Sequence, residues 1–304
     1  MMTPTRIFII KVYHSGAVES GCYNPASDHG TASTGKRSMR EIFAPVGATQ
    51  SPIAETHGLW KSYGAFGALR GLDLSVPEGS VFALLGENGA GKTTAIKCLM
   101  NIVTPTRGSA RVLGVDSGLL GPSILAQIGY VSENQELPNR LRVDAFFRFV
   151  RSCYPGWDHS LEERMRSEFR LPGRRRIGAL SHGMRLKLTL ACALAFHPRL
   201  LILDEPFSGL DPLVRDEIVE GFIGHRGELS IIISSHELDE LERVATHAAF
   251  LHRGQLLVHG PLTALRERAG AVAGKRAASL SLRDAFISMA RSASGADSPG
   301  ALSA

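Results

Sequence analysis

The chain has 304 residues, with a hydrophobic share of 44% and a charged share of 21%, which is typical of a globular protein with an ample core. The formal net charge of +5 is mild, and no lysine or arginine block is long enough to indicate nucleic-acid binding by itself. No apolar run approaches the roughly 18–20 residues of a membrane span, and the four cysteines form no C-x-x-C pair, which argues against a membrane-spanning chain and against a zinc site.

The first part of the chain carries the least information. Residues 1–52 are rich in Ser, Gly, Thr and Ala without a sustained hydrophobic period, so we expect a disordered leader or a mis-set start, with Met39 as a second plausible start. The apolar run Ile7–Tyr13 is short and is broken by Lys11, which argues against a signal peptide.

Patterned sequence begins near Glu55. We predict two strands, His57–Tyr63 and Leu69–Val76, joined by a glycine-containing turn. A third apolar run of strand length ends at Gly86, and a segment with helical apolar spacing follows a glycine-rich turn.

That turn has the pattern of a phosphate-binding loop, Gly86-x-x-x-x-Gly91-Lys92-Thr93. Glycines let the backbone curl so that successive N–H groups point into one concavity, and the helix that follows adds the positive end of its dipole. Lys92 can reach the terminal phosphates, and the hydroxyl of Thr93 can ligate the accompanying Mg²⁺. The predicted phosphate-binding residues are Gly86, Glu87, Asn88, Gly89, Ala90, Gly91, Lys92, Thr93 and Thr94.

Short strands and helices alternate along the rest of the chain. Strands are expected at Ala110–Val115, Ile128–Val131, Leu200–Leu203 and Ile231–Ile233, and a hairpin at Ala248–His259. A helical insertion of about 136–195 contains an aromatic-rich segment, Val143–Phe169, and a helix that begins at Ser181 and ends before Pro198. After a domain of residues 53–268, we expect a short helix, Leu282–Ala290, and a disordered tail within 269–304.

Alternating strands and helices predict a parallel sheet covered on both faces, whose ligands bind beyond the carboxyl ends of the strands. Gly86, Asp204, Glu205 and His236 all lie at such ends, so they should converge. Asp204 can hold a Mg²⁺-bound water, Glu205 can act as general base towards an attacking water, and His236 can contact a γ-phosphate. The alternatives are an acidic pair that only caps or ion-pairs at a strand end, and a structural histidine.

In this ordered set of motifs, roughly Glu55 to Arg268 resembles the nucleotide-binding domain of ATP-binding cassette (ABC) transporters. The resemblance implies an α/β fold: a P-loop NTPase (RecA-like) core with a mostly parallel sheet, an N-terminal antiparallel β subdomain and a helical signature subdomain. It further implies that Tyr63 stacks on adenine, that Asp211 belongs to the D-loop, and that Ser181, His182 and Gly183 form the signature, which serves the ATP of a second cassette.

Three positions depart from the family pattern. His182 and Met184 replace a glycine and the glutamine of the signature, while Ser181 and Gly183 remain. The Q-loop glutamine position falls on Glu133, whose carboxylate can still serve Mg²⁺; Gln135 is the alternative position. Segments such as Leu-Ser-His-Gly-Met are similar to the bacterial exporter branch, which includes multidrug, antibiotic-resistance and acetoin-utilisation cassettes.

The resemblance implies an ATP-hydrolysing subunit, with Mg²⁺, that powers a separate integral membrane permease, most simply for export. The partners would be that permease, a second cassette and ATP, with no nucleic acid, and the chain would lie in the cytoplasm on the inner face of the membrane. Because the family docks its permease beside the aromatic insertion Phe146–Trp157, we expect one or two of those aromatics to be exposed. The alternatives are a soluble cassette ATPase that acts on nucleic acid or ribosomes, and a non-hydrolytic cassette, which would lack Glu205.

Overall fold

The computed structural model of the chain describes residues 52–133, 135–223, 229–236 and 241–273. The predicted leader, except for residue 52, and the predicted helix Leu282–Ala290 lie outside the described residues. The strands are β1 (Ala54–Tyr63), β2 (Phe66–Val76), β3 (Val81–Leu85), β4 (Arg107–Val112), β5 (Val115–Asp116), β6 (Ile128–Ser132), β7 (Leu200–Asp204), β8 (Ser230–Ser235), β9 (His247–His252) and β10 (Gln255–Pro261). The α-helices are α1 (Lys92–Leu99), α2 (Pro122–Leu125), α3 (Val143–Arg151), α4 (His159–Glu168), α5 (His182–Leu194), α6 (Pro212–Ile223) and α7 (Leu262–Ala273).

Two sheets organise these elements. The first is antiparallel with the order β2-β1-β4-β5, and the second has the order β10-β9-β3-β8-β7-β6. In the second sheet β9, β3, β8, β7 and β6 run parallel to their neighbours, and only β10 pairs antiparallel. Parallel neighbours bring the carboxyl ends of β3, β7 and β8 to one edge, where the predicted site residues lie.

The parallel sheet is buried on both faces, and its inner strands are mostly apolar. In β3, Val81 and Leu85 pack into one core, while Phe82 and Leu84 face a second core on the other side. Such strands read as continuous apolar runs and not as alternating ones, which is why these segments were recognisable from the sequence. A third core joins α3, α4 and α5 within the helical insertion.

The predicted α/β architecture, with an antiparallel N-terminal sheet, a mostly parallel sheet and a helical insertion, is confirmed. The single strand expected at Ala110–Val115 is wrong: Leu113 and Gly114 adopt positive φ values of 53° and 76° and turn the chain between β4 and β5. Helix α7 was not predicted, and it runs across residue 268, the predicted end of the domain. The division into domains stays a prediction.

The exposure expected for one or two aromatics of the helical insertion is only partial. Phe146, Phe147 and Trp157 are buried, and Phe149 and Tyr154 are only half-buried. Tyr154 stacks on Phe196, with 4.0 Å between the ring centroids. Packing within the insertion therefore covers part of the aromatic surface that was expected to be exposed. Across the described ranges, none of the helices has the length and apolar character needed to cross a membrane.

Candidate nucleotide site

The phosphate loop connects β3 to α1 in a conformation that requires glycine. Gly86 has a φ of 153°, and a Cβ there would lie 2.4 Å from the carbonyl oxygen of Leu251. Gly91 caps α1 with a φ of 107°, and its Cβ would lie 2.7 Å from the carbonyl oxygen of Ala68. The loop is therefore wedged between β9 and β2, while Glu87, Asn88 and Gly89 are exposed at its crest. A glycine-rich loop leading into a helix N-terminus is an anion-binding arrangement.

Lys92, the first residue of α1, is only 4% exposed, and its ammonium group faces the loop. The Nζ atom donates to the carbonyl oxygens of Gly86 at 2.7 Å and Glu87 at 3.1 Å. It also lies 3.0 Å from Oε1 of Glu205, which follows β7. The predicted convergence of the phosphate loop with the end of β7 is thus a direct contact between two side chains. Thr94 lies half-buried two residues further along α1.

Asp204 ends β7 as a buried carboxylate that is 3% exposed. Its Oδ1 accepts hydrogen bonds from Oγ1 of Thr93 at 3.0 Å and from Oγ of Ser234, on β8, at 2.7 Å. Burial raises the pKa of Asp204, and the two hydroxyl hydrogen bonds oppose that shift. None of the ion pairs among the described residues includes Asp204.

This donor set fits Mg²⁺. A hard cation prefers carboxylate and hydroxyl oxygens, and Asp204 is a buried carboxylate whose neighbours supply only hydroxyl groups. Within the described ranges no group of three or more His, Cys, Asp or Glu side chains could hold a metal ion alone. That is the expected arrangement for Mg²⁺, which usually takes one or two protein ligands together with substrate phosphates and water.

Glu205 joins the phosphate loop to the end of β8. Its Oε2 accepts a hydrogen bond from Nδ1 of His236 at 2.8 Å, while its Oε1 faces Lys92. Its backbone N–H donates to Oγ of Ser234 at 2.9 Å, although the residue holds a left-handed φ of 51°. A non-glycine residue is strained in that region, and such strain clusters at functional sites. The structure brings Lys92, Glu205 and His236 into one continuous chain of contacts.

Tyr63 lies at the tip of the β1–β2 hairpin and is 48% exposed. Nζ of Lys61 lies 5.1 Å from the centre of its ring. The two-residue turn places Tyr63 directly opposite Phe66, which is 62% exposed, so two aromatic rings are available at this tip. A flat, exposed ring is what adenine stacking requires.

The signature residues lie at the start of α5. Ser181 is its N-cap, as predicted, and Oγ accepts from the backbone N–H of Met184 at 3.3 Å. Nε2 of His182 lies 3.1 Å from the carbonyl oxygen of Ser208, and because a carbonyl only accepts, Nε2 is the donor. A Cβ on Gly183 would lie 3.0 Å from Cγ1 of Val214 on α6.

The signature is therefore packed against the D-loop of its own chain, which comprises residues 208–211. In that loop the Oδ1 of Asp211 accepts from the backbone N–H of Leu213 at 2.9 Å and so caps the start of α6. None of the described hydrogen bonds joins residues 181–184 to the phosphate loop.

Among the described residues, the side chain of Glu133 makes no hydrogen bond to Asp204 or Thr93. Its backbone N–H donates to the carbonyl oxygen of Asp204 at 3.0 Å, which places it at the correct edge of the sheet. The side chain is exposed, and its carboxylate makes no hydrogen bond or ion pair with another described residue. The alternative, Gln135, is half-buried, and its Oε1 is a buried atom without a hydrogen-bond partner in the described structure.

Sequence reasoning missed Ser234 as a site residue. It is fully buried, and its hydroxyl holds both Asp204 and the backbone of Glu205. The available signal was a serine ending an apolar strand at the same edge as the phosphate loop. It also missed that His182 reaches the D-loop, since nothing local in the sequence links residues 182 and 208.

Comparisons with known proteins identify the family of the chain. The sequence model of the ABC transporter family matches residues 69–208. The chain is 32% identical to the bacitracin transport ATP-binding protein of Enterococcus faecalis over 71% of each chain. It is 36% identical to the Nod factor export ATP-binding protein I of Rhizobium sp. (strain N33), over 69% of this chain and 71% of that protein. A solved structure of the ATP-binding subunit of an ABC transporter superposes with a TM-score of 0.69 at 28% identity, covering 78% of this chain and 99% of the other.

Proposed function

The chain belongs to the ATP-binding subunits of ABC transporters, and from that membership we propose which of its residues bind ATP, which catalyse hydrolysis and which partners complete the machine. As a member of this family it is an ATPase whose hydrolysis is coupled to transport. We take residues 53–268 as the ATP-binding domain. The observation that carries the assignment of residues is the contact chain Lys92–Glu205–His236 beside the buried Asp204.

Each of these residues has a role that follows from its chemistry. The phosphate loop, residues 86–94, binds the phosphates through its backbone N–H groups and through Lys92, and Tyr63 stacks on the adenine ring. Glu205 is the general base that takes a proton from the attacking water. His236 donates from Nδ1 to Glu205, orients its carboxylate and contacts the γ-phosphate.

Thr93, Asp204 and Glu133 are the residues proposed to hold Mg²⁺, directly or through water. When bound, the ion would neutralise charge on the phosphate oxygens during hydrolysis. Ser234 holds Asp204 in place by its hydrogen bond at 2.7 Å. Burial raises the pKa of Asp204, and a bound cation would lower it again by stabilising the carboxylate.

A second cassette is the first proposed partner. Ser181, His182 and Gly183 lie at the N-terminus of α5, where backbone N–H groups and the helix dipole favour a phosphate. Since none of the described hydrogen bonds joins these residues to the phosphate loop of their own chain, the ATP they serve would belong to the second cassette, with Asp211 beside them. The two cassettes would close on ATP and separate after hydrolysis.

An integral membrane permease is the second proposed partner, and export is the proposed direction because relatives are named for bacitracin transport and Nod factor export. A small pocket between β6 and helices α3 and α5, called here the docking groove, marks the surface against which a cytoplasmic helix of the permease would pack. It is lined by Tyr130, Gln135, Phe146, Phe149, Tyr154 and Thr189. The chain would then lie in the cytoplasm at the inner face of the membrane, without nucleic acid.

The experiment is a steady-state ATPase assay of Glu205→Gln. Removal of a general base costs roughly 100-fold to 10,000-fold in turnover, so we expect loss of hydrolysis while ATP-bound dimers accumulate in size-exclusion chromatography. Glu163→Gln, which makes the same change at an exposed site on α4, is the control and should hydrolyse ATP normally. Lys92→Ala should abolish ATP binding. Turnover near wild type in Glu205→Gln would exclude Glu205 as the base.

A further inference from the structure

Five exposed arginines lie together on the helical insertion, and no role above uses them. Arg140 and Arg142 precede α3, while Arg174, Arg175 and Arg176 lie between α4 and α5. The sequence showed only the second group as a run of charge, for which a solvated loop is the simplest account. The fold brings the two groups side by side, and we call these five residues the arginine patch.

The backbone holds the two segments in a fixed register. The N–H of Val143 donates to the carbonyl of Arg175 at 3.1 Å, and the N–H of Ile177 donates to the carbonyl of Leu141 at 2.9 Å. These bonds flank an antiparallel bridge in which Arg142 lies directly opposite Arg176. Such a pair is the non-hydrogen-bonded type, in which opposed side chains are closest.

Like charges directly opposite each other are destabilising, and among the described residues no acidic side chain pairs with these arginines. None of the five arginine side chains makes a hydrogen bond or ion pair with any residue that the structure describes. The neighbouring carboxylate of Asp144 is bound instead to Arg166. Positive charge is thus concentrated on a rigid support and left available to an anionic partner.

Both segments of the patch also contain a turn, and an exposed apolar side chain lies among the arginines. Each segment contains a tight turn, with the N–H of Leu141 donating to Pro138 and that of Arg175 donating to Pro172, both at 2.9 Å. Leu141 is 37% exposed between Arg140 and Arg142, so an apolar side chain projects among the charges. Basic residues around an exposed apolar one are typical of contact with a lipid surface.

Helix α3 connects the patch to the docking groove. The patch lies at the N-terminal end of α3, and Phe146 and Phe149 of the same helix line the groove. Helix α3 has nine residues and spans roughly 13 Å. A permease docked in the groove would therefore hold the patch near the bilayer in which the permease is embedded. We propose that the arginine patch binds the anionic phospholipid headgroups of that bilayer. This inference rests on the proposed function for its membrane partner.

The experiment is co-sedimentation of the full chain with two kinds of vesicle, phosphatidylcholine alone and phosphatidylcholine mixed with phosphatidylglycerol. We expect binding to the mixed vesicles only, and weaker binding as salt is raised. The triple variant Arg174→Gln, Arg175→Gln, Arg176→Gln should bind roughly 100-fold more weakly, since each arginine near an anionic surface contributes about a fivefold factor. Free inorganic phosphate at millimolar concentration should not compete, because one small anion cannot engage five arginines.

The matched control removes three other exposed arginines, with Arg107→Gln, Arg148→Gln and Arg164→Gln, and should bind like wild type. Equal loss in both variants would mean that net charge, and not the patch, drives binding, and would overturn the proposal. So would equal binding to both kinds of vesicle, or binding of polyglutamate or an RNA oligonucleotide without vesicle binding. Lys92→Ala should still bind vesicles, because Lys92 lies outside the arginine patch. A wild-type chain that binds vesicles but does not hydrolyse ATP would refute the proposed function alone.

Discussion

Gly254, in the turn between β9 and β10, should control the phosphate loop from far along the sequence. It has a φ of 80°, its N–H donates to the carbonyl of Ala90 at 3.0 Å, and its carbonyl accepts from the N–H of Arg70 at 2.8 Å. A Cβ at this position would lie 2.7 Å from the carbonyl oxygen of Ala68. Gly254→Ala must therefore push the turn away from both β2 and the phosphate loop.

The expected cost has two parts. The left-handed φ costs about 1 kcal/mol in any L-residue, and weakening the two hydrogen bonds costs about 1 kcal/mol each. Gly254→Ala should therefore lower the free energy of unfolding by about 3 kcal/mol. Gly114→Ala is the matched control, because Gly114 has a φ of 76° and no atom within 4 Å of an added Cβ, so only the first part applies.

Two measurements test this reasoning: equilibrium urea unfolding, and titration with a fluorescent ATP analogue. If the displaced turn costs the loop one hydrogen bond, ATP should bind about fivefold more weakly to Gly254→Ala and normally to Gly114→Ala. Equal destabilisation of the two variants, together with unchanged ATP affinity in Gly254→Ala, would refute the claim that this turn supports the phosphate loop.

Three other changes have defined outcomes. Because burial raises the pKa of Asp204, the charge of this residue destabilises the folded state above that pKa. Without nucleotide or Mg²⁺ at neutral pH, Asp204→Asn should therefore unfold at a higher urea concentration than wild type. The difference in stability between the two proteins should disappear as the pH falls below the carboxyl pKa of the unfolded chain. A variant less stable than wild type at neutral pH would contradict this. Glu162 is 3% exposed and accepts hydrogen bonds from Arg151 at 2.6 Å and from Nε1 of Trp157 at 2.8 Å. Glu162→Ala should therefore lower the free energy of unfolding, measured in urea, by about 3 kcal/mol. A decrease below about 1 kcal/mol would show that this hydrogen-bond network is dispensable. His182→Ala removes the hydrogen-bond donor to the D-loop and should lower ATP turnover with little change in KM. His182→Gln keeps a side-chain N–H and should recover part of the lost turnover. Equal turnover in wild type and both variants would rule out this role of His182.

Much of the fold could be predicted because its signals are local. The strands of the parallel sheet are continuous apolar runs, since both of their faces are buried, and β7 is recognisable for that reason alone. The phosphate loop is equally local, as its glycines, Lys92 and Thr93 lie within eight consecutive residues, Gly86 to Thr93. The missed turn at Leu113 and Gly114 shows the limit, because one glycine within an apolar run marks a turn and a strand irregularity equally well.

The sequence by itself determined the family resemblance, the order of the strands along the chain and the identity of the polar residues at their ends. It could not determine which side chains meet, because that depends on strand order in the sheet and on the packing of turns. Ser234 reaches Asp204 only because β8 lies beside β7, and Arg142 opposes Arg176 only because two turns pair. Contacts between residues far apart in sequence require a closed tertiary structure, and local periodicity carries no record of them. The arginine run 174–176, which in the sequence is only a stretch of charge, forms one half of the arginine patch in the tertiary structure.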